Sequence, residues 1–163
     1  MATTHLGPTA VSTVGELPEV GSQAPAFTLL GSDFSDVTLT PGVRTVLNIF
    51  PSVDTGVCSA SVRTFNELAA GLDNTQVICV SADLPFALAR FCGAEGIENV
   101  VTASTLRSDF GDAYGVRLID GKFENLLARA VVIVDADGTV LYTQLNDQIG
   151  EAVDFDAAVA ALS

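Results

Sequence analysis

The chain has little of what enzymes commonly use for proton transfer and for metals. Its 163 residues hold one histidine, His5, and no tryptophan. A cysteine–histidine hydrolase needs a base beside its thiol, and His5 falls in an N-terminal stretch expected to fray. The three cysteines, Cys58, Cys79 and Cys92, form no C-x-x-C pair, which disfavours dithiol exchange of that type. They stand 21 and 13 residues apart without histidine partners, which is not a zinc spacing. Their odd number does not fit a secreted disulfide scaffold. Positive charge is scarce as well: Lys122 and six scattered arginines face 20 acids, for a net charge of −13. That excludes a basic surface for nucleic acid or for anionic membranes. The first twenty residues contain no Lys or Arg, so a signal peptide's basic region is missing. No apolar run approaches the ~18 residues of a membrane span. The expectation is a cytoplasmic protein with no metal, no organic cofactor and no membrane partner.

What is present is a large apolar fraction, 48% of the residues. That suffices for one domain spanning 1–163 with a substantial core. Met1 to Val20 alternates weakly around Gly7-Pro8 and is predicted as a hairpin extension. Strands are predicted at Ala26–Leu30, Asp36–Leu39, Val43–Phe50, Gln76–Ser81 and Val100–Thr102. Arg129–Asp135 and Val140–Leu145 form a further hairpin, because Asp137-Gly138 suits a tight turn. Helices are predicted at Ser59–Ala70, Pro85–Phe91, Arg107–Tyr114 and Asp154–Leu162. Proline is tolerated in a first helical turn, glycine stops the first and third helices, and Asp154 caps the last. The order gives an α/β fold with a mixed central sheet and helices on both faces.

The segment Pro51-Ser52-Val53-Asp54-Thr55-Gly56-Val57-Cys58 joins the Val43–Phe50 strand to the helix that follows. Unpaired N–H groups gather at such a junction, and with the helix dipole they favour a negative charge. A thiolate is one such charge. With the one histidine far from this segment in sequence, no C-x-x-C and no metal spacing, the remaining chemistry is a thiol that reacts without a general base. Peroxide reduction is of that kind. The sulfur attacks one peroxide oxygen, the O–O bond breaks, and an alkoxide or hydroxide leaves. The reaction needs an ionised sulfur, a cation to polarise the peroxide, and donors for the developing charge. A thiol at its reference pKa near ~8.5 is only about 3% ionised at pH 7, whereas one near ~6 is about 90% ionised. Arg63, Arg90 and Arg129 are all candidates for the cation, and residue chemistry alone does not choose among them.

Pro51-x-x-x-Thr55-x-x-Cys58 resembles the peroxidatic motif of the peroxiredoxins. The longer run Asn48 to Cys58 is similar to the thiol peroxidase subfamily, of the atypical two-cysteine class. Ser81-Ala82-Asp83-Leu84-Pro85-Phe86, Arg90 to Gly96 and Leu127 to Val132 extend the resemblance over nearly the whole chain. The resemblance implies a thioredoxin-like fold, commonly a homodimer, that reduces hydrogen peroxide and organic hydroperoxides. It implies Cys58 as the peroxidatic cysteine, oxidised to a sulfenic acid. Thr55 then hydrogen-bonds the sulfur and the peroxide, Pro51 shields the pocket from water, and Arg129 polarises the peroxide. Cys92 becomes the resolving cysteine, closing an intrachain disulfide that thioredoxin reduces.

Cys79 lies inside the buried pattern Val77-Ile78-Cys79-Val80 and reads as structural, since burial raises a thiol's pKa. Arg63, five residues past Cys58 on its helix, reads as a candidate supporting group. Asp54 reads as solvated or turn-forming, because an acid beside the sulfur would oppose its ionisation. Phe27, Phe50, Phe65 and Phe110 read as core. If Cys58 and Cys92 stand on different helices, joining them requires the Pro85–Cys92 helix and the first turn after Cys58 to unwind in part, because a disulfide holds Cα atoms within ~7 Å. A peroxide-sensing redox switch or binding protein would use the same two cysteines and is the alternative.

Overall fold

The computed structural model describes residues 1–163. Nine strands and four helices follow one another in the chain. They are β1 (Thr3–Leu6), β2 (Thr9–Ser12), β3 (Leu29–Gly31), β4 (Asp36–Val37), β5 (Arg44–Ile49), α1 (Gly56–Ala69), β6 (Thr75–Ser81), α2 (Pro85–Glu95), β7 (Val101–Ser104), α3 (Phe110–Ala113), β8 (Ala130–Val134), β9 (Val140–Leu145) and α4 (Phe155–Ala160). β1 and β2 form a separate hairpin, and the other strands make one seven-stranded sheet in the order β4-β3-β7-β6-β5-β8-β9. No helix is long and apolar enough to cross a membrane.

The sheet is mixed, as expected. β5 runs parallel to β6 and antiparallel to β8, and β6 runs parallel to β7. Alternation along β5 and β6 feeds two cores. Leu47, Ile49, Ile78 and Val80 pack on one face with Phe27, Phe110 and Tyr114. Val46, Phe50, Val77 and Cys79 pack on the other with Val62 and Phe65 of α1, Leu88 and Phe91 of α2, and Ala158 of α4. Helices therefore cover both faces, three on one side and α3 on the other. Each fully buried large side chain, Phe65 for instance, contributes about 1.5–3 kcal/mol by its removal from water.

Several expected boundaries shift, each for a local reason. The Ala26–Leu30 strand moves to Leu29–Gly31, and Asp36–Leu39 shrinks to its first two residues, because only these pair with a neighbour. The helix expected from Ser59 starts three residues earlier, so Cys58 lies inside its first turn and not ahead of it. The second helix runs on past Phe91 to Glu95, and Gly96 closes it in a left-handed conformation at φ 65°. The third is cut to Phe110–Ala113 because Arg107 adopts φ 65°, which no helix accommodates, and Ser108 Oγ accepts from the Phe110 N–H instead. Gly115, at φ 69°, follows it; a Cβ there would stand 2.2 Å from the Glu16 carbonyl oxygen. The last helix begins at its expected cap, with Asp154 accepting from the Ala157 N–H at 2.9 Å.

The N-terminal stretch does not fray. His5 and Ala10 are register partners across the hairpin, and the His5 amide donates to the Asp147 carbonyl at 2.7 Å. The strands occupy residues 3–12 of the expected 1–20, and Thr13 then bridges to Leu118.

Candidate active site

β5 ends at Ile49, and the chain turns through Phe50 and Pro51 into the loop that starts α1. This is the carboxyl end of the parallel β5–β6 pair, where α/β sheets open their crevices. The register of β8 against β5 pairs Ala130 with Ile49. Arg129, one residue before β8, is thereby carried to the same end of the sheet as Cys58, 71 positions away in sequence. β9 pairs Leu145 with Ala130, so the segment after β9 returns there too.

Cys58 is fully buried and Arg129 is 1% exposed. Arg129 Nη2 donates to Cys58 Sγ at 2.9 Å, and Nε donates to the Ile149 carbonyl at 2.6 Å. Nη1 is buried and meets no protein acceptor. One guanidinium thus holds the sulfur with one arm and the backbone with a second. The third donor is free for an oxygen atom brought to the sulfur. Of the three arginines left open by residue chemistry, this one alone contacts Cys58. Arg63 pairs with Glu95 at 3.4 Å and Arg90 with Asp54 at 2.7 Å, both at the surface. The Asp54 carboxylate beside Arg90 holds the guanidinium above its ordinary pKa.

The start of α1 adds to the positive environment. The first-turn N–H groups of a helix find no intrahelical carbonyl, and Gly56, Val57 and Cys58 occupy that turn. No acidic residue lies in it, so the dipole end is not already neutralised by a side chain. Thr55 occupies the N-cap position in extended conformation, but its hydroxyl makes no capping bond. It donates to the Ser52 carbonyl at 3.1 Å, which contrasts with the expected bond to the sulfur. Pro51 is buried and Thr55 half-buried, so both flank the loop that leads to Cys58.

Sequence reasoning assigned no role to Asp83, and the structure gives it a central place in this loop. Its carboxylate accepts from Ser52 Oγ at 2.6 Å, from the Val53 N–H at 2.8 Å and from Ser81 Oγ at 2.6 Å. The loop between β5 and α1 is therefore fastened to the end of β6. The available signal was Ser81-x-Asp83 at the end of a buried strand, two polar residues where the apolar run stops.

The other two cysteines differ sharply from Cys58 and from each other. Cys79 faces the α1 side of the sheet, is fully buried, and has Asn48 Nδ2 at 3.6 Å from its sulfur. Burial pushes its thiol up to about 12, which agrees with a structural role. Cys92 is half-buried within α2, and its Sγ lies 3.2 Å from Thr102 Oγ1. All three thiols are free, with Cys58 on α1 and Cys92 on α2. No group of three or more His, Cys, Asp or Glu side chains is arranged to hold a metal ion.

Residues 19–162 match the Redoxin family. The thiol peroxidase of Corynebacterium glutamicum is 53% identical over 165 residues, which cover 100% of each chain. That of Mycobacterium tuberculosis is 55% identical over 164 residues, 99% of each. Among solved structures, a peroxiredoxin-like protein from Aquifex aeolicus superposes with a TM-score of 0.95 at 36% identity, over 99% of this chain and 96% of its own. A thiol peroxidase from Chromobacterium violaceum, at 24% identity, shares the fold with a TM-score of 0.90 over 98% and 94% of the two chains.

Proposed function

The chain belongs to the Redoxin family and is a thiol-dependent peroxidase, and from that premise we propose that Cys58 is the sulfur that reacts and Cys92 the one that resets it. The observation that carries the assignment is the 2.9 Å contact between Arg129 Nη2 and Cys58 Sγ, in a site where no other protein cation meets a cysteine. In the first step the Cys58 thiolate attacks the terminal oxygen of a hydroperoxide. The O–O bond breaks, the terminal oxygen stays on Cys58 with its hydrogen as a sulfenic acid, and the leaving oxygen takes the electron pair and is protonated from solvent as the product departs. Arg129 stabilises the negative charge that passes from sulfur to the departing oxygen, with Nη1 as the donor not otherwise engaged. Thr55 adds its hydroxyl oxygen as an acceptor for the peroxide's proton, and Pro51 excludes water from the sulfur's side of the loop.

In the second step the Cys92 thiolate attacks the Cys58 sulfur and expels hydroxide, leaving a disulfide within the chain. Cys58 must then leave Arg129, and Cys92 must leave Thr102. A dithiol reductant of thioredoxin type restores both thiols. The substrates are hydrogen peroxide and organic hydroperoxides. The working unit is a homodimer, supported by the exposed apolar residues Phe34, Leu84, Phe86 and Leu106, of which Phe34 and Phe86 meet edge to face at 5.2 Å. Sedimentation velocity at micromolar concentration reads the dimer directly, and a single monomeric species would refute it.

Cysteine substitutions test the assignment. Cys58→Ser abolishes peroxide consumption. Cys92→Ser consumes one equivalent of peroxide and then stops with thioredoxin present. Sustained turnover by Cys58→Ser would remove the reading; sustained turnover by Cys92→Ser would remove only the resolving step.

A further inference from the structure

The three groups at the reaction centre, Cys58, Arg129 and the loop from Pro51 to Thr55, all lie in the part of the chain that matches the Redoxin family. The β1–β2 hairpin lies outside it, because the match begins at residue 19. We propose that this hairpin is a positioning element for the peroxide step: it fixes the Ile149 carbonyl that orients the Arg129 guanidinium, and Thr4 is its positioning residue. The inference rests on the roles given above to Cys58 and Arg129.

A continuous line of hydrogen bonds carries it. The His5 carbonyl accepts from the Ile149 N–H at 2.9 Å. The Ile149 carbonyl accepts from Arg129 Nε at 2.6 Å, and Arg129 Nη2 donates to Cys58 Sγ. One residue, Ile149, thus faces the hairpin with its N–H and the catalytic guanidinium with its carbonyl. The segment before it is tied to the hairpin as well. Thr4, fully buried, donates through Oγ1, which lies 2.7 Å from the Asn146 carbonyl and 3.0 Å from that of Asp147. The His5 N–H donates to Asp147, and Gln148 Nε2 donates to the Gly7 carbonyl at 3.1 Å. Asn146 in turn donates its N–H to the Arg129 carbonyl at 3.0 Å.

Packing reinforces the same link. The Ile149 side chain is 2% exposed and shares a small apolar cluster with Val11 and Leu6 of the hairpin and with Ala128, the residue before Arg129. Residues 146–149 have no partner strand in the central sheet; the hairpin supplies one, with His5 bridging to Gln148. A buried polar residue such as Thr4 is costly unless its hydroxyl is satisfied, and here it is satisfied only by carbonyls of this segment. Misplacing a polarising group by a fraction of an ångström to an ångström costs up to about 100-fold in rate.

The test uses full-length protein carrying Cys92→Ser, so that only the first step is read. Thr4→Val keeps the shape and removes the hydroxyl; Thr4→Ser keeps the hydroxyl. Stopped-flow consumption of hydrogen peroxide and thiolate absorbance at pH 7 are measured for each, with Arg129→Gln in parallel. Thr4→Val is expected to slow the peroxide step about tenfold and to lower the thiolate absorbance, with Thr4→Ser within about twofold of the parent. If Thr4→Val lowers only the melting temperature, or leaves rate and absorbance unchanged while Arg129→Gln slows the step, the hairpin has no positioning role. If Arg129→Gln also leaves the rate unchanged, the assignment of Arg129 falls with it.

Discussion

Arg129 is a buried cation without a carboxylate partner, and replacing it separates catalysis from folding. The chain's four ion pairs all lie elsewhere and involve His5, Arg63, Arg90 and Arg117. Burying a guanidinium costs several kcal/mol, and the two bonds Arg129 makes, to Ile149 and to Cys58, each return about 1.5–3 kcal/mol. Arg129→Met fills a similar volume, removes the desolvation cost, and leaves the Ile149 carbonyl without its partner at a cost of about 1–3 kcal/mol. These terms nearly cancel. Stability is therefore expected to change by less than about 2 kcal/mol, or roughly 4–8 °C in melting temperature for a domain of this size. In the proposed role Arg129 is a preorganised donor to the developing charge, and its loss is expected to cost about 10²–10³ in rate. Single-turnover peroxide consumption in the Cys92→Ser background reads the rate, and urea unfolding reads the stability. A rate within threefold of the parent would refute the role given to Arg129. A stability loss above about 4 kcal/mol would show that the side chain serves the fold first.

Asp83→Ala removes the acceptor of three bonds that fasten the loop, and is expected to cost about 2–4 kcal/mol in urea unfolding and to slow the peroxide step. Asp83→Asn, which keeps an acceptor oxygen, should recover part of both; equal rates for parent and Asp83→Ala would contradict the fastening role. Cys79 gives a pH prediction. Burial holds its thiol up at about 12 in the fold, well above an ordinary thiol, so between the two the unfolded chain loses a proton that the folded chain keeps. Stability is unaffected by this group below about pH 9 and falls above it, by at most ~1.4 kcal/mol per pH unit. Urea titrations of the parent and Cys79→Ala at pH 8 and pH 10 check this: the parent should lose more between the two, and parallel losses would contradict it.

The strands that the sequence displayed best were those buried on both faces. β5, β6 and β8 read as apolar runs bounded by turns, and β9 follows an Asp-Gly turn that fixes where it begins. Asp154 declared the last helix by its capping chemistry alone. The start of α1 was harder, because Gly56 is a poor helix former and its place in the first turn is set by the loop that Asp83 fastens. The loss of most of the third helix turns on one left-handed residue, Arg107, at a residue type with no preference for that conformation. The cysteine and its motif were legible because they are contiguous. Arg129 was legible only by resemblance, since its meeting with Cys58 depends on the antiparallel register of β8 against β5. Asp83 and Thr4 were not assigned at all. Each acts on backbone groups distant in sequence, and such contacts leave no periodic trace.

One measurement bears most directly on the pairing of Cys58 with Cys92. Reduced protein is treated with one equivalent of hydrogen peroxide, free thiols are alkylated, and the digested peptides are mapped by mass. The expected product links Cys58 to Cys92 within one chain and leaves Cys79 alkylated after denaturation. A link through Cys79, or a Cys58 sulfenic acid that persists with Cys92 free, would contradict the cycle.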